Sequence, residues 1–396
     1  MPRLLYLFAL CNLVLGTGAF VISGILAPIS ESLQVSVATS GQAITVYALS
    51  TAVLAPLALV LTGGWPRKRA LCVSMAVFAL GNALCALATN FTMLLAGRVL
   101  MGVGAMFTPI CAGIAVALVE PAKRGRALSL VFLGISLSYV VGLPLGAWLG
   151  FRFGWQVPVA LVAAIAALSA AVLLVILPKN IQAPGASFKG LGGLLTRAPV
   201  LWTLALTLLY FIAIFLVFAY IGPVLQALHP MSSERLSLTL MLFGASGVAG
   251  TLVGGWANDH FGPRRSLLVQ LSVLGSTMLL LPFTQGSHYA VLATALVVWG
   301  IAGFGMMTPQ QSRLAVLAPA QAPILLSLNT SMLYIGTAVG AAIGGAVSGS
   351  VGFANMGWAG APFAFAGLLV LLMSPRNPGL LPPAADRAPA TMRPPA

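Results

Sequence analysis

Two residues stand out for the chemistry they could do. Asp259 is one of only five carboxylates in 396 residues, and Arg98 is a charge set inside a long apolar run. Asp259 lies in Gly254–Arg265, which reads G-G-W-A-N-D-H-F-G-P-R-R between two apolar stretches. Beside the turn Phe261-Gly262-Pro263, its carboxylate can accept hydrogen bonds from a neighbouring helix N-terminus, while Arg264 and Arg265 hold the loop at an anionic membrane face. The theme occurs earlier at Gly63–Arg69, G-G-W-P-R-K-R, where Trp65-Pro66 stands in place of the acid. Arg98 lies roughly six residues into its run, about 9 Å from the edge at ~1.5 Å per residue. A charge there costs at least a few kcal/mol unless it is paired or reaches water. It can snorkel to the headgroups, or it can face an internal cavity, bonded to first-span carbonyls or to a solute.

Catalysis is not expected. No apolar run holds a carboxylate, a histidine or a nucleophile–base pair, and no phosphate-binding loop is present. Cys11, Cys72, Cys85 and Cys111 fall inside apolar runs without paired spacing, and His229, His260 and His288 are scattered, so neither a metal site nor a cofactor is expected.

The elements that must hold these residues are membrane helices. The chain is 60% hydrophobic and 6% charged, too few charges for a soluble surface. Apolar runs broken by polar, Pro or Gly residues predict about twelve spans, near 5–27, 40–62, 70–89, 93–118, 128–150, 157–177, 199–221, 236–257, 266–284, 289–309, 324–348 and 358–374. The first run is too long for a signal-peptide core and is expected to stay as a helix. Of 19 Lys and Arg residues, only Arg98, Arg152 and Arg235 lie outside the N-terminus, the even-to-odd loops and the tail, which predicts cytoplasmic termini. The net charge of +14 is therefore a topology signal, and nucleic acid is not an expected partner. Residues 178–198 form an expected cytoplasmic linker between halves at 1–177 and 199–374, and the Pro- and Ala-rich tail, 375–396, is expected to be disordered.

The halves repeat each other. Gly102-Val-Gly-Ala-Met-Phe-Thr-Pro109 in the fourth span parallels Gly303-Phe-Gly-Met-Met-Thr-Pro309 in the tenth, and Gly142-Leu-Pro-Leu-Gly146 in the fifth parallels Gly340-Ala-Ala-Ile-Gly344 in the eleventh. Two parallel halves place a solute site at the midplane between them. On these residues the chain resembles the major facilitator superfamily, and within it the twelve-span drug or sugar efflux antiporters of the arabinose-efflux-permease type. Three signatures carry the resemblance: the loop at Gly254, Gly255, Asp259, Gly262, Arg264 and Arg265; the fourth-span Arg98, Gly102 and Gly104; and the antiporter-type Gly142, Pro144 and Gly146. The resemblance implies an all-α bundle of two six-helix halves. It also implies that these positions, with Gly63, Gly64 and Arg67, govern conformational change, the fifth-span motif sealing one side of a cavity and the basic loops locking the cytoplasmic side. Met101 stands where related efflux proteins often carry Gln, and Ala19 where they often carry a first-span Glu.

The expected function is secondary export of a small organic solute by alternating access in a bacterial inner membrane, with protons as the expected coupling ion. Because no span holds an acid, uniport or import without coupling stays open, as does Glu31 folding back toward Arg98. A receptor or structural role without transport is a further alternative. A cavity with an arginine and no anionic group predicts neutral or weakly anionic substrates over quaternary cations. Arg98, Asn12, Thr17, Ser23, Tyr210, Asn329 and Tyr334 are the expected substrate or coupling residues, with Gln310 and Gln311 as further candidates; lipid is the expected surround, and the protein is expected to be a monomer.

Overall fold

The computed structural model describes residues 3–120, 123–178, 181, 196–317 and 322–375. Among them, twelve helices are long and apolar enough to cross a membrane. They are α1 (Leu4–Gly24), α2 (Val37–Leu61), α3 (Arg67–Ala86), α4 (Phe91–Ala117), α5 (Arg126–Phe153), α6 (Gln156–Ile176), α7 (Ala198–Phe218), α8 (Ser233–Phe261), α9 (Pro263–Thr284), α10 (Tyr289–Leu317), α11 (Ile324–Val351) and α12 (Phe353–Met373). The shortest has 20 residues, which at ~1.5 Å per residue matches a hydrocarbon core of about 30 Å. Most of the tail and of the expected 178–198 linker lies outside the described residues.

Local chemistry sets the helix ends. The side chains of Ser36, Asn90 and Ser232 accept hydrogen bonds from the amides of Thr39, Met93 and Arg235, capping α2, α4 and α8. Gly262, at φ +77°, ends α8 in a conformation that suits glycine, and Pro263 opens α9 where its missing N–H costs nothing. Several boundaries differ from the sequence expectation, the eighth span running on from 257 to Phe261 among them, and two involve a break in the helix. The first span stops at Gly24, and a separate short helix, Leu26–Leu33, follows. The tenth continues past Pro309 to Leu317, because the helix breaks at Met306 and restarts, leaving Pro309 in a first turn where no intrahelical bond is lost. The fourth span breaks in the same way, between Gly104 and Phe107, with Pro109 in the new first turn.

Each half packs mainly on itself: α1 on α5, α3 on α4 and α6, and α2 on α4 in the first; α7 on α11 and α12, α8 on α10, and α9 on α12 in the second. The halves meet along α2–α11 and α5–α8. Helices in lipid gain little by hiding apolar side chains, so close backbone approach through small residues supplies the attraction. A Cβ on Gly81 would lie 2.7 Å from the Met101 nitrogen, and one on Gly250 would lie 2.5 Å from the Ile301 oxygen.

Gly250→Ala is therefore expected to cost about 1–3 kcal/mol through overpacking, read as a lower Tm of the purified protein in detergent. Gly349→Ala, with open space around the added carbon, is expected to leave Tm unchanged or slightly raised.

Candidate functional site

Arg98 does not snorkel. It is 1% exposed, and its guanidinium donates to three backbone carbonyls: Nε to Ala43 at 3.1 Å, Nη1 to Gly18 at 2.8 Å and Nη2 to Ala19 at 3.0 Å. Nη1 also lies 3.6 Å from the Met101 sulfur. One side chain on α4 thus ties α1 and α2 together, and the guanidinium stands 5.1 Å from the centre of the Tyr47 ring, within cation–π range. Glu31 does not fold back to it; it stays exposed on the short helix Leu26–Leu33.

Beyond Tyr47 a polar centre forms from helices of both halves. The groups of Tyr47 on α2, Tyr139 on α5 and Tyr334 on α11 stand within electrostatic range of one another. Tyr139 belongs to a π turn, Ser138–Gly142, whose widened hydrogen bonding absorbs the approach to Pro144. Its ring stacks on Phe20 at 4.9 Å and meets Phe304 of α10 edge-on at 5.0 Å. From there a chain of rings continues through Phe218, Phe215 and Phe211 to Tyr210, and through Phe243 to Trp299. Tyr47, Tyr139 and Phe20 are absent from the sequence-based set. A tyrosine in mid-span is itself the signal, the same one that selects Tyr210 and Tyr334.

Most of the other expected polar residues bond inside their own halves. Asn12 is buried, donating to the Val131 carbonyl at 3.2 Å and accepting from Thr108 at 2.7 Å, so it joins α1, α4 and α5. The second half repeats this at equivalent spans: Gln310 of α10 donates to Thr207 of α7 at 2.8 Å, and Thr207 donates in turn to Asn329 of α11. Thr17 donates to the Leu13 carbonyl at 2.8 Å, and Tyr210 donates to the Met307 sulfur at 3.4 Å. Ser23 is buried without a hydrogen-bond partner, and Gln311 is exposed. Of the expected set, Tyr334 alone joins the tyrosine centre, and Arg98 stands behind it.

The conformational positions also act within halves. Gly142 packs on Thr17 and Gly146 on Val21, so the glycines of the fifth-span motif clamp α5 to α1 of its own half, while the same stretch of α5 also meets α8 at the seam; their counterparts, Gly340 and Gly344, clamp α11 to α7. Gly102 lies against Ser50 of α2 and Gly104 against Phe78 of α3, while Gly254 packs on the Gly305 carbonyl. The basic loops differ from expectation too. Lys68 donates to the Leu177 carbonyl past the end of α6 at 2.7 Å, and Arg264 donates to the Ser374 and Leu372 carbonyls at the end of α12 at 2.8 and 3.1 Å. A cation at a helix C-terminus complements the exposed carbonyls and the dipole. Arg67 reaches back to the Gly63 carbonyl, Arg265 is exposed, and a Cβ on Gly64 or Gly255 would meet open space. Asp259 sits in the last turn of α8, which runs on to Phe261; there it is exposed and accepts from Asn258, rather than from a neighbouring helix N-terminus.

The halves touch each other at the end away from the basic loops. Tyr220, past the end of α7, fits into space left by Gly41 of α2 and Gly345 of α11. Its hydroxyl lies 3.0 Å from the Ala341 carbonyl and 3.3 Å from the Ala38 carbonyl, the second across the seam. Gly222 approaches the Gly24 backbone close by.

The Major Facilitator Superfamily model matches residues 8–323. The chain belongs to that superfamily. It is a multi-pass membrane transporter rather than an enzyme. Among similar superfamily proteins, the inner membrane transport protein YdhP of Escherichia coli (strain K12) is 32% identical over 368 residues, covering 92% of this chain and 93% of that one. The uncharacterized MFS-type transporter YbcL of Bacillus subtilis (strain 168) is 27% identical over 358 residues, covering 90% and 92%. In fold, the chain is similar to a bacterial homolog of the human lysosomal transporter Spinster in its inward-facing and occupied conformation, with TM-score 0.80 at 17% identity and coverage of 94% and 96%. The human organic anion transporter MFSD10 (TETRAN) gives a TM-score of 0.65 at 19% identity, with coverage of 94% and 100%.

Arg98→Ala would remove three buried hydrogen bonds from a charged donor, about 1.5–3 kcal/mol each, while the helices keep their own bonds to the same carbonyls, so a large fall in Tm is expected. Arg98→Lys should recover only part of it, since an ammonium cannot reproduce the planar fork. Tyr220→Phe removes the seam bond, worth about 1 kcal/mol, and should shift the population away from the state with this contact by about fivefold. Spin-label distances between residues 31 and 234, one at the Tyr220 end of each half, would show this as growth of a longer component.

Proposed function

We propose that the protein exports a small organic solute, neutral or weakly anionic, by alternating access, with protons as the counter-transported ion. In this reading the basic loops and both termini face the cytoplasm of a bacterial inner membrane, following the distribution of Lys and Arg. The protein acts as a monomer, and with the halves touching at the Tyr220 end its solute site opens toward the basic end. The observation that carries the substrate class is Arg98, a buried cation bonded to carbonyls and an aromatic face instead of to a carboxylate. Its uncompensated charge repels a permanent cation and welcomes electron-rich groups. Export is supported by the likeness of Gly142-x-Pro144-x-Gly146 to the antiporter-type motif and by the resemblance to efflux proteins.

Uniport is favoured by one observation. No span interior holds an Asp, Glu or His, and proton-coupled carriers generally need a titratable group at membrane depth. Reconstituted proteoliposomes separate the two readings. With an imposed pH gradient, antiport predicts solute movement that collapses when a protonophore is added, whereas uniport predicts movement that follows only the solute gradient. Neutral and weakly acidic compounds should move in either case. Efficient movement of a quaternary ammonium compound would overturn the charge-based substrate class.

A further inference from the structure

We propose that the tyrosine centre binds the anionic group of an aromatic acid, with the acid's ring lying against Tyr139 and Phe304. This refines the transport reading given above and rests on it.

Three observations converge. The first is the donor set. Tyr47, Tyr139 and Tyr334 come from α2, α5 and α11, so both halves contribute, and each hydroxyl can donate one hydrogen bond. Tyr139 and Tyr334 are only half-buried although they sit in mid-span, so they keep surface for a solute.

The second is the fixed charge. The Arg98 guanidinium is held against the Tyr47 ring by the carbonyls of Gly18, Ala19 and Ala43, and it is too buried to touch a solute itself. It acts as a positioning residue: its charge bears on Tyr47, and on the centre only through Tyr47. A negative group at the centre would find hydroxyl donors, with the cation behind Tyr47, which offset the cost of leaving water. A quaternary cation would find neither.

The third is the wall. Nine rings form one connected cluster, from Phe20 and Tyr139 in the first half to Trp299 and Phe304 in the second. Seven of them are buried, and only Tyr139 and Phe304 keep part of their surface uncovered. These two meet across the seam, their centroids 5.0 Å apart at 74°. An uncovered pair of aromatic faces, one of them carrying the Tyr139 hydroxyl, suits a planar ring carrying an acid, through offset or edge-on contact with the ring and charge-assisted bonds to the acid.

The test uses three naphthalene probes of one shape: 2-naphthoate, 2-naphthalenemethanol and (2-naphthylmethyl)trimethylammonium. Their equilibrium binding to the purified full-length protein in detergent at neutral pH is measured by calorimetry. Naphthoate should bind at least tenfold tighter than the alcohol, and the cation should not bind. Tyr139→Phe and Tyr334→Phe keep the rings and remove one donor each. Each should weaken naphthoate about tenfold, the size of a bond to a charged acceptor, and leave the alcohol within about twofold. Tyr6→Phe, on the exposed face of α1, is the control and should change neither. The proposal fails if naphthoate binds no tighter than the alcohol, if the cation binds comparably, or if both tyrosine variants keep full naphthoate affinity.

Exchange of labelled naphthoate in proteoliposomes separates this failure from that of the transport reading. The expected binding pattern without exchange supports the site and removes the transport role. Movement of other solutes by a protein that does not bind naphthoate removes the site and leaves transport standing.

Discussion

In hydrocarbon a helix gains almost nothing by hiding a leucine, because lipid is as apolar as the protein interior. Dispersion at very short range and hydrogen bonds out of reach of water must supply the cohesion, and the layout of the bundle follows from that. Glycines at 142, 146 and 150 press α5 onto Thr17 and Val21 of α1 and Ile25 just past its end, and glycines at 336, 340 and 344 press α11 onto α7. The same spans then receive their polar ties: Asn12 with Thr108 and Val131 in one half, Gln310 with Thr207 and Asn329 in the other. Contact and hydrogen bond reinforce each other along the same faces. Each half is thereby fastened internally, by contacts that do not draw on the other half.

Arg98 is the exception that gives the bundle its polarity. Most buried charges answer to an opposite charge, whereas this one answers to three carbonyls and the face of an aromatic ring. Such partners satisfy its N–H groups without cancelling its charge. Its charge therefore bears on Tyr47, the one of the three tyrosines that it faces.

The membrane class, the number of spans and the duplication are legible in the sequence, since they rest on run length and on motifs that recur in order. The position of Arg98 is legible too, because an arginine among apolar residues must find partners. Which face each helix turns toward its neighbours is not. Asn12 and Asn329 look from the sequence like cavity groups, yet their side chains are spent joining helices. Tyr47 and Tyr139 are separated by 92 positions, and nothing local to either predicts that they come within electrostatic range of each other. The π turn at Ser138–Gly142 also rotates Tyr139 away from the phase that an unbroken α-helix would give it. The fifth-span glycines are plain as a motif, but only the packing reveals that their partner is α1.

The two loop cations carry a consequence for the architecture. Lys68 grips the chain just past the end of α6, and Arg264 grips the end of α12. In both halves, the loop between the second and third helices thus holds the last helix, so six helices close into a loop of contacts without help from the other six. Each half is in that sense a finished object. A single ancestral unit of six helices, made twice and joined, would need no new fastening to stand beside its copy, only a surface on which the two could rock.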